Sequence, residues 1–257
     1  MDAGVYDNGY RYVRIGSGRK KLLIIPGLND EIIRATAYPI WLKYHLRGFK
    51  NTEILIVSRK EGLDSDVTTE DLADDYREIL EEEGNCDVLG ISLGGMIAQH
   101  LATKTDNVEK LVLGFSGTKL SQNGKDKINN WVKLVEKNKK RKFYSKVAKD
   151  TFGGLSKHLY SFTGSIAHRE IVSPPSSDFK ACARASIEHD TSMKVSEIEN
   201  DTLVIGAVDD DFFPENIISH TAERIGGSSR FISGRHAAFI QNSSEFHDRV
   251  NRFLDRN

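Results

Sequence analysis

Short aliphatic runs, each separated from the next by an amphipathic or turn-rich stretch, constrain this chain more than any other feature. Residues 21–25, 54–57, 86–91, 110–115 and 202–208 are short, mostly apolar and rich in aliphatic side chains, as strands buried on both faces are. Between the second and third runs, Leu72, Tyr76, Ile79 and Leu80 fall on one helical face, with Thr68 and Asp71 spaced as a capping box. Strand–helix–strand units connect right-handedly and build a mainly parallel sheet covered by helices on both faces. Ligands in such α/β folds bind at the carboxyl ends of the strands, so functional residues are expected just after strands.

The rhythm stops after Gly117, and no clear buried strand follows until Thr202, a gap too long for a loop in a compact domain. The expected organisation is an α/β core at 1–118 and 192–257, interrupted by a helical cap insertion at 119–191. The insertion shows helical spacing at Ile128, Trp131, Val132 and Val135 and again at Phe143, Tyr144 and Val147, with turn signals at Gly153-Gly154 and Ser173-Pro174-Pro175-Ser176. No internal repeat suggests a second architecture, and 257 residues with 39% hydrophobic content supply a substantial core.

Charge and composition exclude several classes of function. With 36 Lys and Arg against 37 Asp and Glu, no global field favours nucleic acid or an anionic membrane. Met1 to Tyr10 lacks a signal-peptide pattern, and Leu22-Leu23-Ile24-Ile25, the longest aliphatic stretch, is far below spanning length, so a cytoplasmic protein without membrane insertion is expected. Cys86 and Cys182 are too few for a disulfide framework or a thiolate-rich zinc site and read as buried free thiols. No phosphate-binding loop or dinucleotide glycine spacing is present, so neither cofactor nor metal is expected. Oligomeric state is left open.

The strand at 86–91 runs directly into Gly90-Ile91-Ser92-Leu93-Gly94-Gly95 and then the apolar helical stretch 96–102. Glycines two before and two after Ser92 permit a sharp strand-to-helix elbow that exposes the hydroxyl beside a helix N-terminus, where an anionic intermediate is favoured. A serine hydroxyl needs a base, and the base needs an orienting group. His236 stands in a loop after the short β-like run 230–232. His45, His100 and His220 fall in helical patterns, His158, His168 and His189 in the insertion, and His247 in the last helix. The strand at 202–208 is followed by Asp209-Asp210-Asp211, of which one is needed as orienting acid. Three adjacent acids lack the alternating ligand spacing of a calcium loop.

The order serine, insertion, acid, histidine resembles that of the α/β-hydrolases, nearly end to end. In that resemblance the ungapped match of residues 202–214, fixed by the strand and Pro214, favours Asp210 as the triad acid, whereas Asp209 fits only if Gly206 takes the place of a glycine that usually lies one residue later. Pro26-Gly27-Leu28-Asn29 corresponds to the oxyanion loop, although Pro26 replaces a frequent histidine. The resemblance implies a serine hydrolase acting on a small-molecule ester or related acyl substrate through a Ser92–His236–Asp210 triad, with the backbone N–H groups of Leu28 and Leu93 as oxyanion donors. Acyl transfer, carbon–carbon hydrolysis on the same triad, or small-molecule binding without chemistry are the alternatives. Two departures stand out: residues 58–65 lack the usual arginine–glycine pattern after the preceding strand, and Arg235 separates Gly234 from His236. Ten lysines and Arg141 face only Asp126, Glu136 and Asp150 between 119 and 150, a charge excess that reads first as a solvated helix face.

Overall fold

A computed structural model of the chain describes residues 2–28, 44–167 and 176–256, with side chains of 162–167 excepted. Its eight strands are β1 (Asp2–Val5), β2 (Arg11–Ile15), β3 (Lys20–Ile25), β4 (Thr52–Val57), β5 (Cys86–Ile91), β6 (Val108–Gly114), β7 (Asp201–Ala207) and β8 (Ser228–Ile232). They form one sheet in the order β1-β2-β4-β3-β5-β6-β7-β8. From β4 to β8 every neighbour is parallel, while β1 with β2 and β2 with β4 pair antiparallel. Each aliphatic run picked out in the sequence is a strand of the parallel part. The β1–β2 hairpin at the edge is an addition to that expectation.

Helices α1 (Thr69–Glu83) and α2 (Leu93–Ala102) follow β4 and β5. The capping box forms: the Thr68 hydroxyl accepts from the Asp71 N–H, and the Asp71 carboxylate accepts from the Thr68 N–H. Such a cap contributes about 1 kcal/mol. Strand alternation then divides the core between the two faces. Leu23, Ile25, Leu55, Val57 and Val88 pack under Leu72, Tyr76, Ile79 and Ile97 of α1 and α2. Leu22, Ile24, Ile54, Ile56 and Leu89 meet Phe246, Val250 and Phe253 on the opposite face. Those three residues belong to the last helix, α9 (Ser243–Leu254), which follows the short α8 (Ala238–Gln241) and, before β8, α7 (Glu215–Ile225).

Among the described residues, four α-helices, α3 (Gln122–Glu136), α4 (Lys140–Thr151), α5 (Ser156–Ala167) and α6 (Ser176–Glu188), and a single 3-10 turn, Val195–Glu197, lie between β6 and β7. Ser173 to Pro175 and His168 lie outside the described residues. Trp131, Phe143 and Tyr144 are buried, a packing role that their helical spacing anticipated. The helices are fastened to the strand ends of the core. The buried Asp178 carboxylate of α6 accepts from the N–H groups of Gly62 and Leu63 at 3.0 and 3.2 Å, and Arg184 donates to the carbonyls of Ser65 and Val67. The excess lysines, among them Lys133, Lys137, Lys142 and Lys149, surround an open groove of about 950 Å³. Cys86 and Cys182 are free and buried.

Candidate active site

The parallel strands β5, β7 and β8 deliver three loops to one end of the sheet. Ser92 sits between β5 and α2 with φ 56° and ψ −117°, a left-handed backbone that L side chains rarely adopt. It is held there because its N–H donates to the Gly114 carbonyl at 2.9 Å while its own carbonyl accepts from Gly95 and Met96. The elbow leaves no room for side chains beside it. A Cβ on Gly90 would lie 2.4 Å from the Gly94 carbonyl oxygen, and one on Gly94 2.0 Å from that of Ile25. These are the two glycines singled out in the sequence, and close approach of backbone explains both.

His236 lies in the loop after β8. Its Nε2 is 3.0 Å from the Ser92 Oγ and its Nδ1 is 2.8 Å from Asp210 Oδ2. The Asp210 side chain is fully buried. Its second oxygen, Oδ1, accepts from the N–H groups of Phe212 and Phe213 at 2.8 and 3.3 Å, so both carboxylate oxygens have fixed roles. Phe212 places its ring 4.5 Å from the imidazole and Phe213 stacks at 5.9 Å, which keeps one side of His236 dry. Phe212 in turn packs on Trp131 of α3 at 5.4 Å. Ser92, Asp210 and His236 are thus brought together as the sequence order indicated.

The neighbouring acids differ. Asp209 is exposed and its N–H donates to the Gly234 carbonyl. The Asp211 carboxylate is paired with Lys127 of α3 and with Arg235. Burial works to raise the Asp211 carboxyl, but the two cations outweigh it and hold it below its ordinary value. Arg235, a departure from the resemblance, therefore ties the histidine loop to the acid loop. The partnership spans 24 residues in one direction and 84 in the other, so no local pattern could have disclosed it.

On the other side of Ser92 runs the loop after β3. Gly27 lies against the serine: a Cβ there would stand 3.4 Å from Ser92 Cβ and 4.0 Å from its Oγ. Leu28 is buried, and Asn29 lies outside the described residues. Leu93 opens α2 immediately after the serine.

Four other described histidines, His100, His189, His220 and His247, make their contacts outside this array. His189 is buried with its Nδ1 2.8 Å from the Thr69 hydroxyl, and burial pushes its imidazole down to about 3. His100 stacks edge-on against it at 5.5 Å. His220 is exposed on α7, and burial pushes His247 down to about 4. Among the described residues, no three His, Cys, Asp or Glu side chains converge as a metal site, and no helix is long and apolar enough to cross a membrane.

The sheet order, the elbow and the loop positions are those of the α/β-hydrolase fold, and the chain adopts that fold. No family sequence profile matches the chain, and no curated protein does. Solved structures do match in fold over nearly the whole chain. MGS-M2, an α/β hydrolase from a Medee basin deep-sea metagenome library, aligns with a TM-score of 0.80 at 17% identity, covering 100% of this chain and 98% of that one. The enol-lactonase from Burkholderia xenovorans gives 0.79 at 13% identity, over 99% and 100% of the two chains. An esterase from Exiguobacterium antarcticum gives 0.76 at 19% identity, over 97% of each.

Proposed function

We propose that the protein is a serine hydrolase that acts on a small ester or related acyl substrate through an acyl-enzyme. The observation that carries the reading is the continuous hydrogen-bonded array from Ser92 Oγ through His236 to a fully buried Asp210. In this reading His236 Nε2 takes the hydroxyl proton as Ser92 Oγ attacks the acyl carbon, and Asp210 stabilises the imidazolium through Nδ1–H. The oxygen that gains charge is held by the N–H groups of Leu28 and Leu93. Collapse expels the alcohol, which leaves with the proton from His236. Water, deprotonated by the same nitrogen, then releases the acid and regenerates Ser92.

An esterase and an enol-lactonase among the structural neighbours are in keeping with such a substrate. The helices between β6 and β7 are proposed to act as a cap that selects substrate, since they contact the loops after β4 and β7. Labelling with a fluorophosphonate tests the assignment. The native chain is expected to react at one site and Ser92→Ala not at all. Equal labelling of a folded Ser92→Ala variant would refute it. Competition of an added alcohol with water for the acyl-enzyme separates an acyltransferase from a hydrolase.

A further inference from the structure

Among the side chains around the elbow, Arg59 has no part in the triad, yet its surroundings are those of a functional group. It is only 6% exposed. Its guanidinium donates to three consecutive backbone carbonyls of the loop beside Ser92: Pro26 at 3.0 Å, Gly27 at 2.8 Å and Leu28 at 3.1 Å. The sheet explains how it gets there. Strands β3 and β4 are parallel with Ile24 opposite Ile56, and three further residues along each chain bring Gly27 abreast of Arg59. We propose that Arg59 is a positioning residue for the oxyanion site, fixing the peptide that carries the Leu28 N–H. This inference rests on the serine-hydrolase reading.

Three carbonyl dipoles aimed at one point repel each other, so the loop holds this curl only with a cation at the focus. The planar fork of an arginine has enough donors for all three and stays charged at any relevant pH. The consequence for chemistry follows from peptide geometry. The Gly27 carbonyl and the Leu28 N–H belong to one planar trans unit and point in opposite directions. Drawing the carbonyl onto the guanidinium therefore turns the N–H to the other side of the loop, and Gly27 itself lies against Ser92. A charge-assisted bond on the carbonyl also polarises the amide and makes its N–H a better donor. The arginine thus supplies order and polarity to the oxyanion donor without touching substrate.

The test compares Arg59→Met and Arg59→Lys with the native chain on p-nitrophenyl acetate, with rates normalised to active sites titrated by fluorophosphonate. A trifluoromethyl ketone, which forms a tetrahedral oxyanion on the serine, serves as the second readout. Because loss of a preorganised donor costs about 100- to 1,000-fold and here the donor is only misaimed, Arg59→Met is expected to lower kcat about 10- to 100-fold. KM should change less than about threefold, ketone inhibition should weaken in parallel with kcat, and the pH limb of the histidine should stay where it is. Lysine keeps the charge but not the fork and should fall between the two; if Arg59→Met does not fold, Arg59→Lys carries the comparison. A folded variant with native kcat, or a loss confined to KM with ketone inhibition unchanged, overturns the proposal. Failure of the native chain to label at Ser92 overturns instead the serine-hydrolase reading, and this inference with it.

Discussion

Replacing Asp210 by asparagine should switch off turnover while leaving the fold intact, and the hydrogen bonds around it show why. The Oδ1 atom accepts from two backbone N–H groups, those of Phe212 and Phe213, and Oδ2 faces the Nδ1 of His236. An asparagine must keep its carbonyl oxygen towards the two N–H groups, since the flipped amide would set its NH₂ against two donors. Leaving those donors unsatisfied would cost about 1–3 kcal/mol each. The NH₂ therefore points at Nδ1, which must accept, and the ring proton moves to Nε2. That nitrogen then donates to Ser92 and cannot take its proton. A wrong tautomer of this kind lowers kcat about 10⁴-fold in the best-known triad, equivalent to about 5 kcal/mol in the barrier. We expect a loss of about 10³- to 10⁴-fold here, with Tm within a few degrees of native because every hydrogen bond has a counterpart. Asp210→Ala should by contrast lose stability as well, because it strands the two N–H groups. The assay is p-nitrophenyl acetate hydrolysis beside a thermal melt. An Asp210→Asn enzyme within tenfold of native kcat, or one less impaired than Asp209→Asn, would refute the argument.

Other outcomes follow from the same geometry. The kcat/KM for an activated ester should rise with pH through one ionisation, and His236→Gln should lose both the limb and most turnover; a retained limb would exclude His236 as base. Stability should fall on acidification below about pH 6.5, because His189 and His247 are held neutral by burial down to about 3 and about 4. The unfolded chain takes up protons that the native state refuses, so each group removes up to about 1.4 kcal/mol per pH unit across that window. Tm against pH for the native chain and His189→Gln checks this, with the variant expected to show the shallower slope. Trp131→Ala should impair kcat as well as stability, since the indole backs Phe212, which packs on His236, while its Nε1 bonds Asp150 at 2.8 Å. Loss of stability with native kcat per folded site would show that Phe212 holds its place unaided.

What could be read in advance was whatever a short stretch of chain decides for itself. Residues 86–102 specify strand, elbow and helix locally, because Gly90 and Gly94 are needed wherever backbones approach that closely. The capping box at Thr68 and Asp71 is equally local. The β1–β2 hairpin was not legible: Asp2–Val5 offers little apolar surface, and Arg11–Ile15 is a strand because β4 lies beside it. Arg59 escaped notice for a related reason, since its meaning depends on the parallel register of two strands more than on its neighbours in sequence. The proposed triad acid, Asp210, stands between these cases. The loop after β7 was legible as the source of a carboxylate, but the choice among three depends on which side chain turns inward, and that is decided by the N–H groups of Phe212 and Phe213.

The pairing of Asp211 with both Lys127 and Arg235 makes ionic strength a mechanical variable in this molecule. One carboxylate clasps α3 to the two loops that carry Asp210 and His236, and it is about a third exposed, where mobile ions reach it. Dissolved salt weakens such contacts while leaving the buried Asp210–His236 bond nearly untouched, because screening acts on charges that water can surround. Added salt should therefore weaken this clasp, while the Asp178 and Arg184 bonds and the Trp131–Phe212 packing hold the helices on the core. In the role proposed for these helices as a cap, a bulky ester should feel the change and a small activated ester should not.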